Sequence, residues 1–536
     1  MDFDKDLKSI QEARSLAAKA KEAQLEFKHF NQAQVDKIVK AMADTAFKDA
    51  ERLAKMACEE TGFGKWQDKV IKNQFGCKNV YESIKDLKTV GVIDIRNNGK
   101  ILKIAEPMGV VAALIPSTNP TSTVIFKTII SLKCRNAIVA SPHPRAVNCT
   151  LAAIKVLSDA AEKAGAPKGL IQCMTTPTIE GTEALMKDKS IAVILATGSN
   201  PMVKAAYSSG KPAFGVGSGN VPAFIEKSAN VNKAVADIIS GTTFDNGTLC
   251  SSEQAMVVDK SIKEEVIKEA KKQGAFFVEG TDKLKLEKTV TPGGKINPEI
   301  VGKCAVWIAN YAGIKVPEDT KVLVAECQSV GKYEPLSAEK LSPVLAFYTV
   351  DGWLEGCHRC IELLEFGGVG HTLVIHSNDA EIILKFGLEK PAFRIVVNTP
   401  SSLGAVGYST DLTPSLTLGV GTWGGSIISE NVSAVHLMNV KTLAFETTQI
   451  NTGHSLNSLD LKDISGSFNS HKIDEKTSFT SLIEERLRAR AGNPSYSNSN
   501  STVNTSEIKK QSDKAFGSGI SETEIQKIIS DFNKNN

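Results

Sequence analysis

The 536-residue sequence has no run approaching the roughly 18 apolar residues needed to cross a membrane, so no spanning helix is expected. It has little net charge: 63 Lys and Arg against 60 Asp and Glu leave a formal +3, which argues against a nucleic-acid or polyanion partner. A disulfide framework is also missing, because the ten cysteines (58, 77, 134, 149, 173, 250, 304, 327, 357 and 360) are scattered along the chain. The opening "MDFDKDLKSIQEARSLAAKAKEAQ" is charged throughout and lacks the apolar core of a secretory signal. Together these absences predict a cytoplasmic, reducing setting and free thiols. Cys357 and Cys360 form a single C-x-x-C with no second pair nearby. "LEGCHRCIELLEF" reads as an amphipathic helix with both cysteines on one face, so packing is expected there and no metal site. No internal repeat is found.

What is present is ordinary for a globular protein: 42% hydrophobic and 23% charged residues, in a chain long enough for two or three domains. The first eighty residues read as helices, with Val35, Ile38, Val39 and Met42 at helical spacing. From Thr89 the texture becomes β-rich, and Asn97-Asn98-Gly99 between two such runs predicts a hairpin. The runs "GVVAALIP" (109–116), "NAIVAS" (136–141) and "IAVILAT" (191–197) then alternate with helical patterns. This is the rhythm of a doubly wound α/β domain with a parallel sheet. Ligands of such sheets bind beyond the carboxyl ends of the strands, which points to "IPSTNPTST" and "TGSNPMV". A second alternating region runs from about Pro222 to Pro400, and the body ends near Thr448.

Three polar segments stand out. In "GTTFDNGTLCSSEQ", Cys250 sits among small and polar residues after Asn246-Gly247, unlike a packed cysteine. "VNKAVADIISG" upstream reads as a helix, and "SSEQ" is expected to open another, whose positive end would favour the thiolate. From composition alone, packing and catalysis are both open for Cys250. In "IPSTNPTST", Asn119 stands at a strand's carboxyl end, where its amide could donate to an oxyanion or simply form an Asn-Pro turn. "AFGVGSGNVPAF" carries Gly215, Gly217 and Gly219, half of a dinucleotide fingerprint and weak by itself.

In order along residues 1 to 448, "EPMGVVAALIPSTNPTST", "SPHPRA", "ATGSNPMV", "FGVGSGNVP", "FDNGTLCSSEQ", "EKLSPVLAF", "GGVGHTLVIHS" and "LTLGVGTWGGS" resemble segments of the aldehyde dehydrogenase superfamily, and within it the coenzyme A-acylating branch. The resemblance implies the aldehyde dehydrogenase fold, α/β in class. Its parts would be an NAD-binding domain (1–220) with a β-hairpin arm (89–106), a catalytic domain (221–430) and an oligomerisation strand (431–448). It implies that Cys250 attacks an aldehyde, that Asn119 and the Cys250 backbone N–H hold the oxygen, and that hydride passes to NAD. Coenzyme A then takes the acyl group from the Cys250 thioester. Pro116, Ser117, Thr118, Gly198, Ser199, Gly217 and Leu418 are implied at the cofactor, and Glu339 at the nicotinamide ribose. Without the motif, Glu339 beside Lys340 would read as solvated. His371 matches a histidine of the acylating branch that would take a proton from the aldehyde adduct or from coenzyme A. Two departures matter. No acid stands between Ala213 and Phe224, where hydrolytic members keep the base that activates water. "SPHP" replaces the usual lysine-proline pair, so Ser141 and His143 (with Arg145) would meet the adenine ribose and NADP use stays open.

The tail differs in kind. Residues 449–518 read as a linker, including the low-complexity "GNPSYSNSNSTVNTS". In 519–536, Ile525, Ile528, Ile529 and Phe532 form one apolar stripe behind a Ser521–Glu524 capping box. The expectation is a docking helix for shell or core proteins of a bacterial microcompartment, placing the enzyme in that lumen as a homodimer or homotetramer. With fewer than ninety residues after Thr448, a stand-alone acetaldehyde or propionaldehyde dehydrogenase is expected rather than a bifunctional one. The competing expectations are a hydrolytic aldehyde dehydrogenase and an inactive scaffold that docks through its tail.

Overall fold

The computed structural model describes residues 4–448 and 450. The expected docking helix at 519–536, and nearly all of the expected linker, lie outside the described residues. Helices dominate residues 5–84. The first, Lys5–Phe27, is capped by Asp4, and the second, Gln32–Lys48, by an Asn31–Gln34 capping box. Val35, Ile38, Val39 and Met42 are buried on one face of the second helix, as their spacing predicts.

The hairpin forms where it was expected. β1 (Gly91–Arg96) and β2 (Ile101–Pro107) pair antiparallel, and Asn97 and Asn98 take φ of 51° and 54° at the turn. A five-stranded parallel sheet follows. It consists of β3 (Val110–Ile115), β4 (Ala137–Pro142), β5 (Ile171–Cys173), β6 (Ile191–Thr197) and β7 (Ala213–Val216), in the order β5-β4-β3-β6-β7. β3 and β4 are buried along their whole length, which is why they read as unbroken apolar runs. Strand order reverses between β3 and β6, so a crevice opens beyond their carboxyl ends.

The second sheet has seven parallel strands. These are β8 (Val221–Ile225), β9 (Glu253–Asp259), β10 (Ala275–Phe277), β11 (Val322–Glu326), β12 (Val344–Val350), β13 (Gly370–His376) and β14 (Ala392–Val397), in the order β10-β11-β12-β9-β8-β13-β14. β15 (Met438–Ala444) returns to pair antiparallel with β2 and completes a three-stranded arm. Cys357 and Cys360 lie buried on the helix Gly352–Gly367, packed into the second core as the helical spacing predicts.

One expectation fails. Val231–Thr243 is helical, but "SSEQ" does not open a helix. Ser251 and Ser252 form a turn and Glu253 starts β9, held between β12 and β8. All seven residues of β9 are buried, and "AMVV" supplies the apolar run of a central strand, so sheet burial overrides the cap-like serines. Cys250 therefore owes nothing to a helix N-terminus.

Candidate active site

The two sheets face the same space with opposite ends. The first contributes the loops after its strands: Pro116 to Asn119 after β3, His143 after β4, Gly198 after β6 and Gly217 after β7. The second contributes the segments just before its strands: Cys250 before β9 and Glu339 before β12. A cavity of 360 Å³ lies between them, lined by these residues together with Ser117, Thr118, Ser199 and Leu418. An adjoining pocket of 110 Å³ continues past His143, Gly198 and Ser199 to Ser141. The Ser141 hydroxyl is 2.8 Å from that of Thr182. His371 lines neither space; it is fully buried behind Gly219.

Cys250 is half-buried at the wall of the larger cavity. Burial pushes its thiol up to about 12, and the Glu339 carboxylate adds to that shift, while Arg394, the cysteine's own N–H and Lys72 oppose it. Asn119 Nδ2 donates to the Thr248 carbonyl and to Thr118 Oγ1, both at 3.1 Å, which ties the β3 loop to the turn bearing Cys250. Glu339 is not solvated. It is 6% exposed and accepts the Gly219 N–H at 2.9 Å, and burial raises its carboxyl to about 7. Among the described residues it is the one carboxylate in the cavity wall. The apolar and small lining beside Cys250, with an amide at hand to meet an oxyanion, suits nucleophilic attack on a carbonyl.

The crevice fits a dinucleotide. The helix Asn200–Tyr207 begins at its edge with no side chain capping its N-terminus, leaving N–H groups for a pyrophosphate. At Gly217 a Cβ would stand 2.1 Å from Asn200 Oδ1, so a side chain there would displace Asn200 from the Ser218 N–H that it accepts at 3.0 Å.

The aldehyde dehydrogenase family profile matches residues 6–330. The chain belongs to the aldehyde dehydrogenase family. It is 45% identical over 441 residues to an aldehyde-alcohol dehydrogenase of Entamoeba histolytica, covering 80% of this chain and 51% of that one. The chain thus spans about half the length of the first curated relatives it matches. An acetylating aldehyde dehydrogenase from Geobacillus thermoglucosidasius superposes with a TM-score of 0.83 at 52% identity, covering 84% and 99% of the two chains. Two propionaldehyde dehydrogenases match at 29% identity, each with a TM-score of 0.74 and each covering 81% of this chain. One comes from the fucose utilisation microcompartment of Clostridium phytofermentans and is covered to 98%; the other is the Rhodopseudomonas palustris enzyme with bound propionyl-CoA, covered to 94%.

Within this family member, two groups of functional interest escaped the sequence reading. Lys72 and Asp245 meet behind Asn119, and Arg394 lies buried behind His371 without a carboxylate partner among the described residues. The signal for the first was faint: Lys65, Lys69 and Lys72 recur at helical spacing, a pattern that ordinarily marks a solvated face.

Proposed function

We propose that this enzyme oxidises a short-chain aldehyde, acetaldehyde or propionaldehyde, to its acyl-CoA with NAD. Cys250 adds to the aldehyde carbon to give a thiohemiacetal, whose oxygen is held by the Asn119 amide and the Cys250 N–H. Bound NAD supplies the hydride acceptor, with Gly198, Ser199, Gly217 and Glu339 around it and Ser141 and His143 at its adenosine end. The thioester left on Cys250 is cleaved by the thiol of coenzyme A, which releases the acyl-CoA and restores the cysteine. The observation that carries this reading is the wall of the cavity. Among the described residues its one carboxylate is Glu339, whose Oε1 accepts the Gly219 N–H. No acid stands between Ala213 and Phe224, where hydrolytic members keep the base that activates water, which supports deacylation by a thiol, the better nucleophile.

The test is NADH formation from acetaldehyde or propionaldehyde. Turnover should require coenzyme A, and Cys250→Ala should abolish it. Equal turnover without coenzyme A would establish a hydrolytic enzyme instead.

The tail supports a place in a microcompartment lumen, as does the similarity to an enzyme from such a compartment. A reporter carrying only 519–536 should co-localise with shells in shell-forming cells, and a diffuse signal would remove this part of the proposal. The arm built from β1, β2 and β15 leaves Val440 and Leu443 exposed, which supports association of at least two copies.

A further inference from the structure

A charged cluster is buried against the cavity wall formed by Thr118, Asn119 and Thr248. Lys72, on the helix Trp66–Gln74, is 3% exposed. Its ammonium touches Asp245 Oδ2 and Asn119 Oδ1, and lies 3.3 Å from Thr248 Oγ1. Lys69, one turn earlier, donates to Asp245 Oδ2 at 2.9 Å and to the Thr118 carbonyl at 2.8 Å. Asp245 is pinned in turn: Lys65 N donates to its Oδ1 and Thr248 Oγ1 to its Oδ2, both at 2.7 Å. Its backbone takes φ of 48°, and Gly64 opposite it leaves the room, since a Cβ there would stand 1.9 Å from Asp245 Oδ1. Two ammonium groups thus share the Asp245 carboxylate, and the Lys72 ammonium faces Asn119. Asp68, paired with Lys65, accepts the Asp245 N–H at 2.7 Å.

We propose that Lys72 is a positioning residue for the oxyanion donor, acting through the Asn119 side chain. An ammonium has three donors and no acceptor, so only the oxygen of the Asn119 amide can face it. The amide nitrogen is then forced to the opposite side, toward Thr118 Oγ1 and the Thr248 carbonyl, two residues from Cys250. A flipped amide would set NH₂ against NH₃⁺. With Oδ1 on a desolvated cation, the amide is polarised and its N–H becomes a stronger donor, in a setting where hydrogen bonds reinforce one another. The Thr118 hydroxyl that now takes one N–H is a neutral acceptor, and a developing oxyanion displaces it because charged acceptors bind more strongly. Burial lowers the Lys72 ammonium to about 8, which leaves it charged at neutral pH. In Asp245, burial alone would raise the carboxyl, but Lys72 and Lys69 outweigh it and hold it below its ordinary range.

The inference rests on the reading of Asn119 as the oxyanion donor, and the experiment separates the two. Wild type, Lys72→Met, Lys72→Arg, Asn119→Ala and the double variant Lys72→Met/Asn119→Ala are compared for kcat and aldehyde KM, with thermal melting alongside. Loss of one oxyanion donor costs on the order of 100-fold in kcat, so Lys72→Met should fall about 10- to 100-fold with aldehyde KM little changed. Lys72→Arg, which keeps the charge and donors, should recover part of that loss. The double variant should be no slower than Asn119→Ala alone. Effects that multiply, or an unchanged kcat in Lys72→Met, would overturn the inference while the acylating reaction stands. An unchanged kcat in Asn119→Ala would overturn both the oxyanion assignment and this inference. Should Lys72→Met fail to fold, Lys72→Gln keeps a donor without the charge and is judged by the same double-variant comparison.

Discussion

Thr372 Oγ1 lies 3.0 Å from His371 Nδ1 and receives the Arg394 Nε–H at 3.3 Å. The threonine hydroxyl keeps its proton and a second lone pair after accepting from Arg394, so it can either donate to His371 Nδ1 or accept from it. The other ring nitrogen, Nε2, has no partner among the described residues. Burial, with Arg394 adding to it, drives His371 down to about 3. His371 therefore stands neutral in the working range.

This assignment has a kinetic signature. His371→Gln should lower kcat by roughly 100-fold, the low end of what a positioned proton-handling group contributes. The apparent pKa values of its kcat/KM–pH profile should match those of wild type, because His371 does not titrate in the working range. Disappearance of a limb between about pH 6 and pH 8 in the variant would show that His371 does exchange a proton in that range.

Glu339 raises the barrier to ionisation of Cys250, since its carboxylate is the second cause, after burial, of the high thiol value. Glu339→Gln removes that repulsion. Alkylation of Cys250 by iodoacetamide, followed by mass spectrometry of its peptide, should quicken by about 3- to 10-fold at pH 8, equivalent to a shift of half to one pKa unit. Below pH 6 the rates should converge, because wild-type Glu339, raised to about 7, is already protonated there. A variant slower than wild type at pH 8 would mean that the carboxylate assists the thiol rather than opposing it.

The parts of this site that could be read in advance are those carried by one continuous segment. The β3 and β6 runs announce themselves because strands buried on both faces are apolar throughout, and the loops that follow them are then placed by topology. Cys250 stands out by its polar company. Lys72 does not, because its meaning depends on Asp245, 173 residues away, and a lysine on a helix otherwise signals solvent. The error at Ser251 and Ser252 has the same root. Locally they look like caps, and only the neighbours of β9 decide that the chain runs on as a strand. Glu253 and Gln254 are buried in that strand, which their polarity could not announce.

Gly219 is required by what surrounds it rather than by its backbone angle. A Cβ there would come within 2.2 Å of the Cys250 carbonyl and 3.1 Å of the His371 ring. Neither can retreat freely, since one is backbone at the nucleophile and the other is fully buried. Gly219→Ala should therefore displace the Cys250 turn and cost about 100-fold in kcat, the scale of an ångström of misplacement. Calorimetry should show a folded protein with a reduced melting temperature. Near wild-type turnover would mean that the turn has slack that the packing does not suggest.

Glu253 offers a test in stability rather than rate. Its Oε1 accepts the Ser401 N–H at 2.5 Å, its Oε2 has no partner among the described residues, and burial raises its carboxyl from 4.5 to about 8. Because the folded-state value is raised, its contribution is fully present below about pH 4.5. It is lost progressively as pH climbs to about 8, where the unfolded chain has ionised and the folded one is forced to follow; the loss is on the order of a few kcal/mol. Glu253→Gln keeps an oxygen for the Ser401 N–H and removes the titration. The melting temperature of the variant relative to wild type should therefore rise steadily between about pH 5 and pH 8, then level off. A constant difference across that interval would mean that Glu253 ionises in the folded protein as readily as in the unfolded chain, and that its burial between Gly241 and Ser401 is better solvated than the packing indicates.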